Sequence, residues 1–297
     1  MRLPGTYYQK YQDPDGRPAI DEDPLMTRVV KPLFVLSIAI STAQAQLVRT
    51  GAGPDAASIQ AVIDLYRADL GSLNGNTAGS QGSGRREISW DGVPDSFSAP
   101  NDLPGDFFNI NSPRGAVFTT PGSSVQVSAD SDNPAGALPL FGNINPSYVT
   151  TFEAFSPERL FSPIGSNIVD LTFFVPGSSV PAVTRGFGAV YTDVDVVENT
   201  AFEYFGADGN SLGTYSTPVS NEGLSFLGVS FDTPSVARVR IRYGNSSLGP
   251  NDGGAIDVAV MDDFIYGEPI AIPEPNVIGA CFGALLFLPR YRIGMDD

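Results

Sequence analysis

The stretch Thr200-Ala-Phe-Glu-Tyr-Phe205, the turn Asp208-Gly209-Asn210 and the returning run Ser211 to Tyr215 decide the fold class. Aromatic and β-branched runs on either side of an Asp-Gly turn read as a β-hairpin, because that dipeptide suits the tight turn that joins two twisted strands. Downstream, Leu224 to Phe231 reads as a largely buried strand. Val236 to Tyr243 alternates Arg238, Arg240 and Arg242 with Val239, Ile241 and Tyr243, the pattern of a strand with one wet face. Ile256 to Tyr266 closes the series and is expected to lie centrally. Strand signals run back to Val117, within a region, residues 46–268, rich in Gly, Pro, Ser, Asn and Asp. This composition fits a single all-β domain, a β-sandwich. One helix is predicted: Ile59, Val62, Ile63, Tyr66 and Leu70 recur at helical spacing, Pro54-Asp55 suits its start and Gly71 its end. Its apolar stripe makes it an amphipathic cover on the sandwich. Ser72 to Gly84, rich in Gly, Ser and Asn, reads as a flexible loop.

Both chain ends carry address signals. Arg28 and Lys31 precede the apolar core Leu33 to Ile40, and Ala43-Gln44-Ala45 supplies the small residues of a signal-peptidase site. Translation is therefore expected to start at Met26, with residues 1–25 an upstream extension, residues 26–45 a signal peptide that forms a short helix, and Gln46 the mature N-terminus. Residues 269–297 contain Pro273-Glu274-Pro275, the apolar run Val277 to Leu288, and then Arg290 and Arg292. Cationic residues resist translocation and hold their end of an apolar segment on the cytoplasmic side. The order of these parts resembles the sorting tail of bacterial PEP-CTERM proteins. The resemblance implies export, a short C-terminal transmembrane helix, and handling by an exosortase-like sorting enzyme. It also implies residence in the cell envelope or extracellular matrix, anchored in a membrane before any C-terminal processing.

Composition excludes much chemistry. The chain has no His, and its two Lys residues, Lys10 and Lys31, precede the cleavage site. Ser-His-Asp triads, His-ligated zinc, the P-loop lysine and Schiff-base chemistry are thereby removed from the mature chain. The single Cys, Cys281, lies in the tail, so stability rests on packing and on metal rather than on disulfides. Residues 1–45 carry five acidic and five basic side chains, so their removal leaves the net charge at −16. Nucleic acid is not an expected partner, since its binding depends on a basic surface. An acidic, lysine-free exported chain is suited to binding cations or to staying soluble.

The runs Gly84 to Gly92, Gly186 to Asp195, Leu224 to Phe231 and Met261-Asp262-Asp263-Phe264 resemble bacterial secreted proteins with lectin-like or carbohydrate-binding-module-like jelly-roll architecture. That resemblance implies a binding domain and carries no activity. Asp262 and Asp263 sit on the closing strand among Val258, Val260, Phe264 and Tyr266. Strand neighbours face opposite sides, so one of the two should point into packed structure, where an unpaired carboxylate is costly unless a metal neutralises it. Modules of the kind this chain resembles hold calcium through an acid on the last strand. Asp193 and Asp195, which share a face, are the expected second source of oxygen ligands for a structural calcium ion.

Other candidates are weaker. Glu87, Asp91, Glu203 and Asp263 are the acids a His-free glycan hydrolase would draw on. The arginine stripe is either a solvated face or a platform for acidic sugars. Trp90 is either core or a sugar-stacking ring. Asp130-Ser131-Asp132-Asn133 starts like a metal loop, but Pro134 follows and no Gly stands at the sixth place, so it reads as a turn. The leading expectation is a non-catalytic exported surface or matrix protein that adheres to or binds carbohydrate such as extracellular polysaccharide. A passive structural component is the second reading, and a carboxylate-based hydrolase is the third.

Overall fold

The computed structural model describes residues 45–272. The upstream extension, the signal helix, Ala43, the residues Pro273, Glu274, Pro275, Arg290 and Arg292, and the C-terminal apolar helix lie outside the described residues. Ala45 is exposed, and Gln46 opens the first strand. In chain order the strands are β1 (Gln46–Gly53), β2 (Arg85–Ile88), β3 (Ala116–Thr119), β4 (Ser124–Val127), β5 (Phe161–Ile164), β6 (Ile168–Phe173), β7 (Ala182–Val183), β8 (Gly186–Val194), β9 (Ala201–Phe205), β10 (Ser211–Ser216), β11 (Ser220–Phe231), β12 (Arg238–Arg242), β13 (Val260–Gly267) and β14 (Ile270–Ala271). The main helix, α1, spans Ala56–Leu70.

The architecture is the expected all-β sandwich. A seven-stranded antiparallel sheet runs β1-β11-β8-β13-β5-β4, with β2 also pairing β13, and a five-stranded sheet runs β10-β9-β12-β6-β3. The hairpin is β9–β10, and β13 lies centrally, between β8 on one side and β5 with β2 on the other. The small β7–β14 pair reaches Ala271, three residues past the expected domain end at 268. Between the sheets lies an aromatic core in which Trp90 stacks on Phe161 at 4.3 Å and meets Phe264 edge-on at 4.9 Å. Trp90 is fully buried and its indole N–H donates to the Asp262 carbonyl at 2.9 Å, so it is a core residue.

The helix forms where its end signals placed it. Asp55 Oδ1 accepts from Ser58 N at 2.9 Å, satisfying one of the free N–H groups of the first turn, and Gly71 ends the helix at φ +102°. Its stripe of Ile59, Ile63, Tyr66 and Leu70 packs on the outer face of the larger sheet, against Val190, Leu224, Phe226 and Ile265. A second cover, Phe141, Tyr148, Phe152 and Leu160, packs with Val258 and Val260. The two covers explain why β8, β13 and most of β11 are buried on both faces, while β12 of the smaller sheet keeps its exposed alternation.

The docking of Tyr66 depends on two glycines. Gly188 and Gly228 are cross-strand partners on β8 and β11; a Cβ on either would lie 2.7 to 2.8 Å from the Tyr66 ring. Gly228→Ala is therefore expected to lower stability by about 1–3 kcal/mol through overpacking. Urea unfolding measures it, and an unchanged midpoint would show that the ring can move aside.

The loop at 72–84 departs from expectation, for it is strapped down. Fully buried Arg86 donates to the carbonyls of Gly75, Thr77, Gly79 and Pro113, and Glu268 accepts from Asn74 Nδ2 and Gln81 N. Composition signalled flexibility because the order comes from two side chains outside the loop, Arg86 and Glu268.

Candidate functional site

Three acids converge where β8 ends. Asp193, Asp195 and Asp252 each bring a carboxylate oxygen to within 4.8 Å of the others. Asp193 has a left-handed backbone (φ +63°), is buried, and accepts from Glu222 N at 2.8 Å. Asp257, fully buried below, accepts from the N–H groups of Asp195 and Val196 at 3.2 and 3.3 Å. Asp195 Oδ1 is buried and has no hydrogen-bond partner among the described residues.

The electrostatics are those of uncompensated negative charge. Burial, then its acidic neighbours, pushes the Asp193 carboxyl up to about 7. Burial raises Asp195 as well, followed by Asp257, Asp252 and Glu222; Asp252 and Asp257 are raised chiefly by burial. Elsewhere arginines pair with Asp64, Asp69, Glu87, Asp95, Asp130, Asp170 and Glu268, yet among the described residues no arginine forms an ion pair with any member of this group. A hard cation fits such a site, because its charge replaces the missing side-chain cation and carboxylate oxygens are its preferred ligands.

Sequence reasoning found Asp193 and Asp195 and missed Asp252. That residue sits in Asn251-Asp252-Gly253-Gly254, where Asp252 Oδ1 accepts from Gly253 N and both glycines have positive φ. The tetrapeptide reads as a turn, and its acid carries no signal of its own.

Asp262 and Asp263 lie outside this group, and their arrangement corrects a sequence expectation. Pairing shifts between Met261↔Tyr191 and Phe264↔Ala189, so that Asp262 and Asp263 together stand opposite Val190. In this β-bulge two residues oppose one, so the simple alternation of facing breaks at these neighbours. Both side chains meet Ser156, whose Oγ lies 3.1 Å from Asp262 Oδ1 and 2.8 Å from Asp263 Oδ1. Asp262 Oδ2 also accepts from Phe155 N at 2.7 Å and Ser156 N at 3.1 Å. Asp262 Oδ2 thus takes two backbone donors, while the single Ser156 hydroxyl lies between Asp262 Oδ1 and Asp263 Oδ1.

The remaining acids stand apart. Glu87 is held by Arg67 and Arg85, and Asp91 accepts from Ser89 Oγ and Arg159 N. Glu203 is on β9 of the smaller sheet. In the Asp130 turn, Asp130 pairs with Arg159, Ser131 donates to Glu158, and Asn133 Oδ1 accepts from Ala135 N. A cavity of about 530 Å³ lies beside the strapped loop and is lined in part by Asp69, Asn74, Arg185 and Glu268. No helix among the described residues is long and apolar enough to cross a membrane.

No family model matches the chain. A search of curated proteins likewise found no match. Among solved structures the chain is similar to the enzymatically active domain of bacteriophage CBA120 tailspike protein 4, at 16% identity and a TM-score of 0.27. The match covers 59% of this chain and 22% of the tailspike chain, so it takes in about a fifth of that protein's length.

Proposed function

We propose that this protein is an exported, non-catalytic binding module of the cell surface or extracellular matrix, built around a structural calcium ion and directed to carbohydrate. The observation that carries the reading is the Asp193–Asp195–Asp252 group: clustered oxygens, one of them buried without a partner, and no pairing arginine. A site with three carboxylates and few other fixed ligands suits the weak calcium affinities, about 10⁻⁴ to 10⁻³ M, of extracellular modules. Calcium at that level is an extracellular commodity, which agrees with the signal peptide and the sorting tail read from the sequence. In this reading signal peptidase cleaves before Gln46 and an exosortase-like enzyme handles the tail. Calcium would lock the end of β8 to the 244–257 loop and so hold one end of the sandwich rigid.

Thermal melts test the metal. At a Kd of about 10⁻⁴ M, 1 mM calcium should stabilise by about 1.4 kcal/mol, or roughly 3–6 °C for a domain of this size. Asp195→Asn should remove the shift. A midpoint that moves neither with calcium nor with chelator overturns the calcium reading, and a glycan array that retains no protein overturns the carbohydrate reading.

A further inference from the structure

The outer face of the smaller sheet gathers positive charge on an otherwise acidic chain. Register places three rows across it. Arg238 lies between Thr172 and Phe205, Arg240 between Asp170 and Glu203, and Arg242 between Ile168 and Ala201. Thr214 of β10 extends the middle row beyond Glu203. Val239 and Ile241 point the other way, into the core, which fixes the arginines outward.

The guanidinium groups are held in place. Arg240 binds Asp170 with two hydrogen bonds of 3.0 and 2.8 Å, and Arg238 donates to the same carboxylate at 2.6 Å. Arg238 also lies over the Phe205 ring, 3.7 Å from its centre. Arg242 is exposed, donates through Nη2 to the Glu198 carbonyl at 2.9 Å, and forms no ion pair with a described residue. Three arginines thus face two acids, Asp170 and Glu203, in a chain whose net charge is −16. An anion approaching the protein meets attraction here and repulsion over most of the remaining surface.

A shallow cleft of about 230 Å³ opens between these residues, lined by Ile168, Ala201, Glu203, Thr214, Arg240 and Arg242. Its chemistry is mixed. The arginine forks match a carboxylate, Glu203 and Thr214 are partners for hydroxyl groups, and Ile168 with Ala201 supplies an apolar floor for the C–H face of a ring. A nucleic acid or an anionic lipid surface would ask for denser positive charge than three arginines facing two acids supply. We infer that this face binds an acidic polysaccharide whose sugars carry carboxylates. Arg242 and the free edge of Arg240 take the carboxylate, and Glu203 and Thr214 take ring hydroxyls. The inference rests on the carbohydrate-binding reading above and names the ligand class and the surface.

The test is affinity electrophoresis of the full chain in mild neutral detergent, without added divalent cations so that calcium cannot bridge carboxylates. Gels carry polygalacturonate, neutral dextran or dextran sulfate. Polygalacturonate should retard the protein, dextran should not, and added salt should weaken retardation. The double variant Arg240→Gln/Arg242→Gln should bind polygalacturonate at least about ten-fold more weakly, the loss expected for two charge-assisted contacts. Both side chains are exposed and Asp170 keeps Arg238, so an unchanged melting midpoint is the expected control. Retardation that survives in the double variant overturns the inference and leaves the carbohydrate reading standing. Equal retardation by dextran sulfate, lost in the same variant, overturns the uronate assignment in favour of a general anion surface. No retardation by any glycan overturns both.

Discussion

Replacing Arg86 by Ala is expected to destabilise the protein by about 3–5 kcal/mol, because it leaves a buried carboxylate without its partner. The Arg86 side chain is 0% exposed and that of Glu268 1%, and the two meet through bonds of 2.7 Å from Nε and 2.8 Å from Nη2. The same substitution strips donors from the carbonyls of Gly75, Thr77, Gly79 and Pro113. The strand β2 itself should survive, since its pairing with β13 is made by backbone groups. Loop 72–84 should not keep its shape, and a broad-specificity protease should cut there in the variant and not in the parent. Buried Trp90 provides the fluorescence signal for urea unfolding. A second variant, Arg86→Met with Glu268→Leu, removes both charges and should recover much of the loss. If the double variant is as unstable as Arg86→Ala, the lost stability resides in the loop carbonyls and not in the ion pair. An Arg86→Ala protein with an unchanged midpoint would refute the account altogether.

What could be read in advance follows from which interactions are local. The helix was legible because its stripe and both end signals lie within residues 54–71, and β12 because its wet face leaves the alternation of Arg238, Arg240 and Arg242 intact. Nothing in the run Gly186 to Asp195 told that α1 would cover β8, since that cover depends on Tyr66 finding Gly188 and Gly228 across two strands. The order of loop 72–84 was hidden for the same reason: its backbone carbonyls have no sequence signature, and their donor is on another element.

The acidic group was half legible. Asp193 and Asp195 are two residues apart, whereas Asp252 arrives from a turn more than fifty residues away. Asp262 and Asp263 misled because alternation is a rule for regular strands and fails at a bulge. Nothing in Met261-Asp262-Asp263-Phe264 distinguishes a regular strand from one whose partner changes from β5 to β2 at that point.

The bulge has a second consequence, in the pH dependence of stability. Asp262 is fully buried and Asp263 6% exposed, so two carboxylates share one site and cannot both ionise without strong repulsion. Burial and then Asp263 raise Asp262 well above the ordinary range, and burial holds Asp263 up at about 6. Arg67 offsets part of the rise at Asp263 and Glu87 adds to it. Ser156 has one hydroxyl proton for two carboxylates, so the proton the pair retains completes the hydrogen bonding. An aspartate in the unfolded chain titrates near 3.9. Between about pH 4 and pH 6 the folded state therefore holds more protons than the unfolded one, and stability contributed by Asp263 is present at low pH and lost as pH rises. The two-unit gap corresponds to about 3 kcal/mol. Asp263→Asn fixes the neutral form. It should match the parent near pH 4 and exceed it by up to about 3 kcal/mol at pH 8, flattening the profile between. Urea midpoints at pH 4, 6 and 8 for the two proteins measure the difference, in which contributions from Asp193 and other acids cancel. Parallel profiles, or a variant less stable than the parent at pH 8, would mean that Asp263 ionises in the fold without penalty and that the pair does not hold its proton.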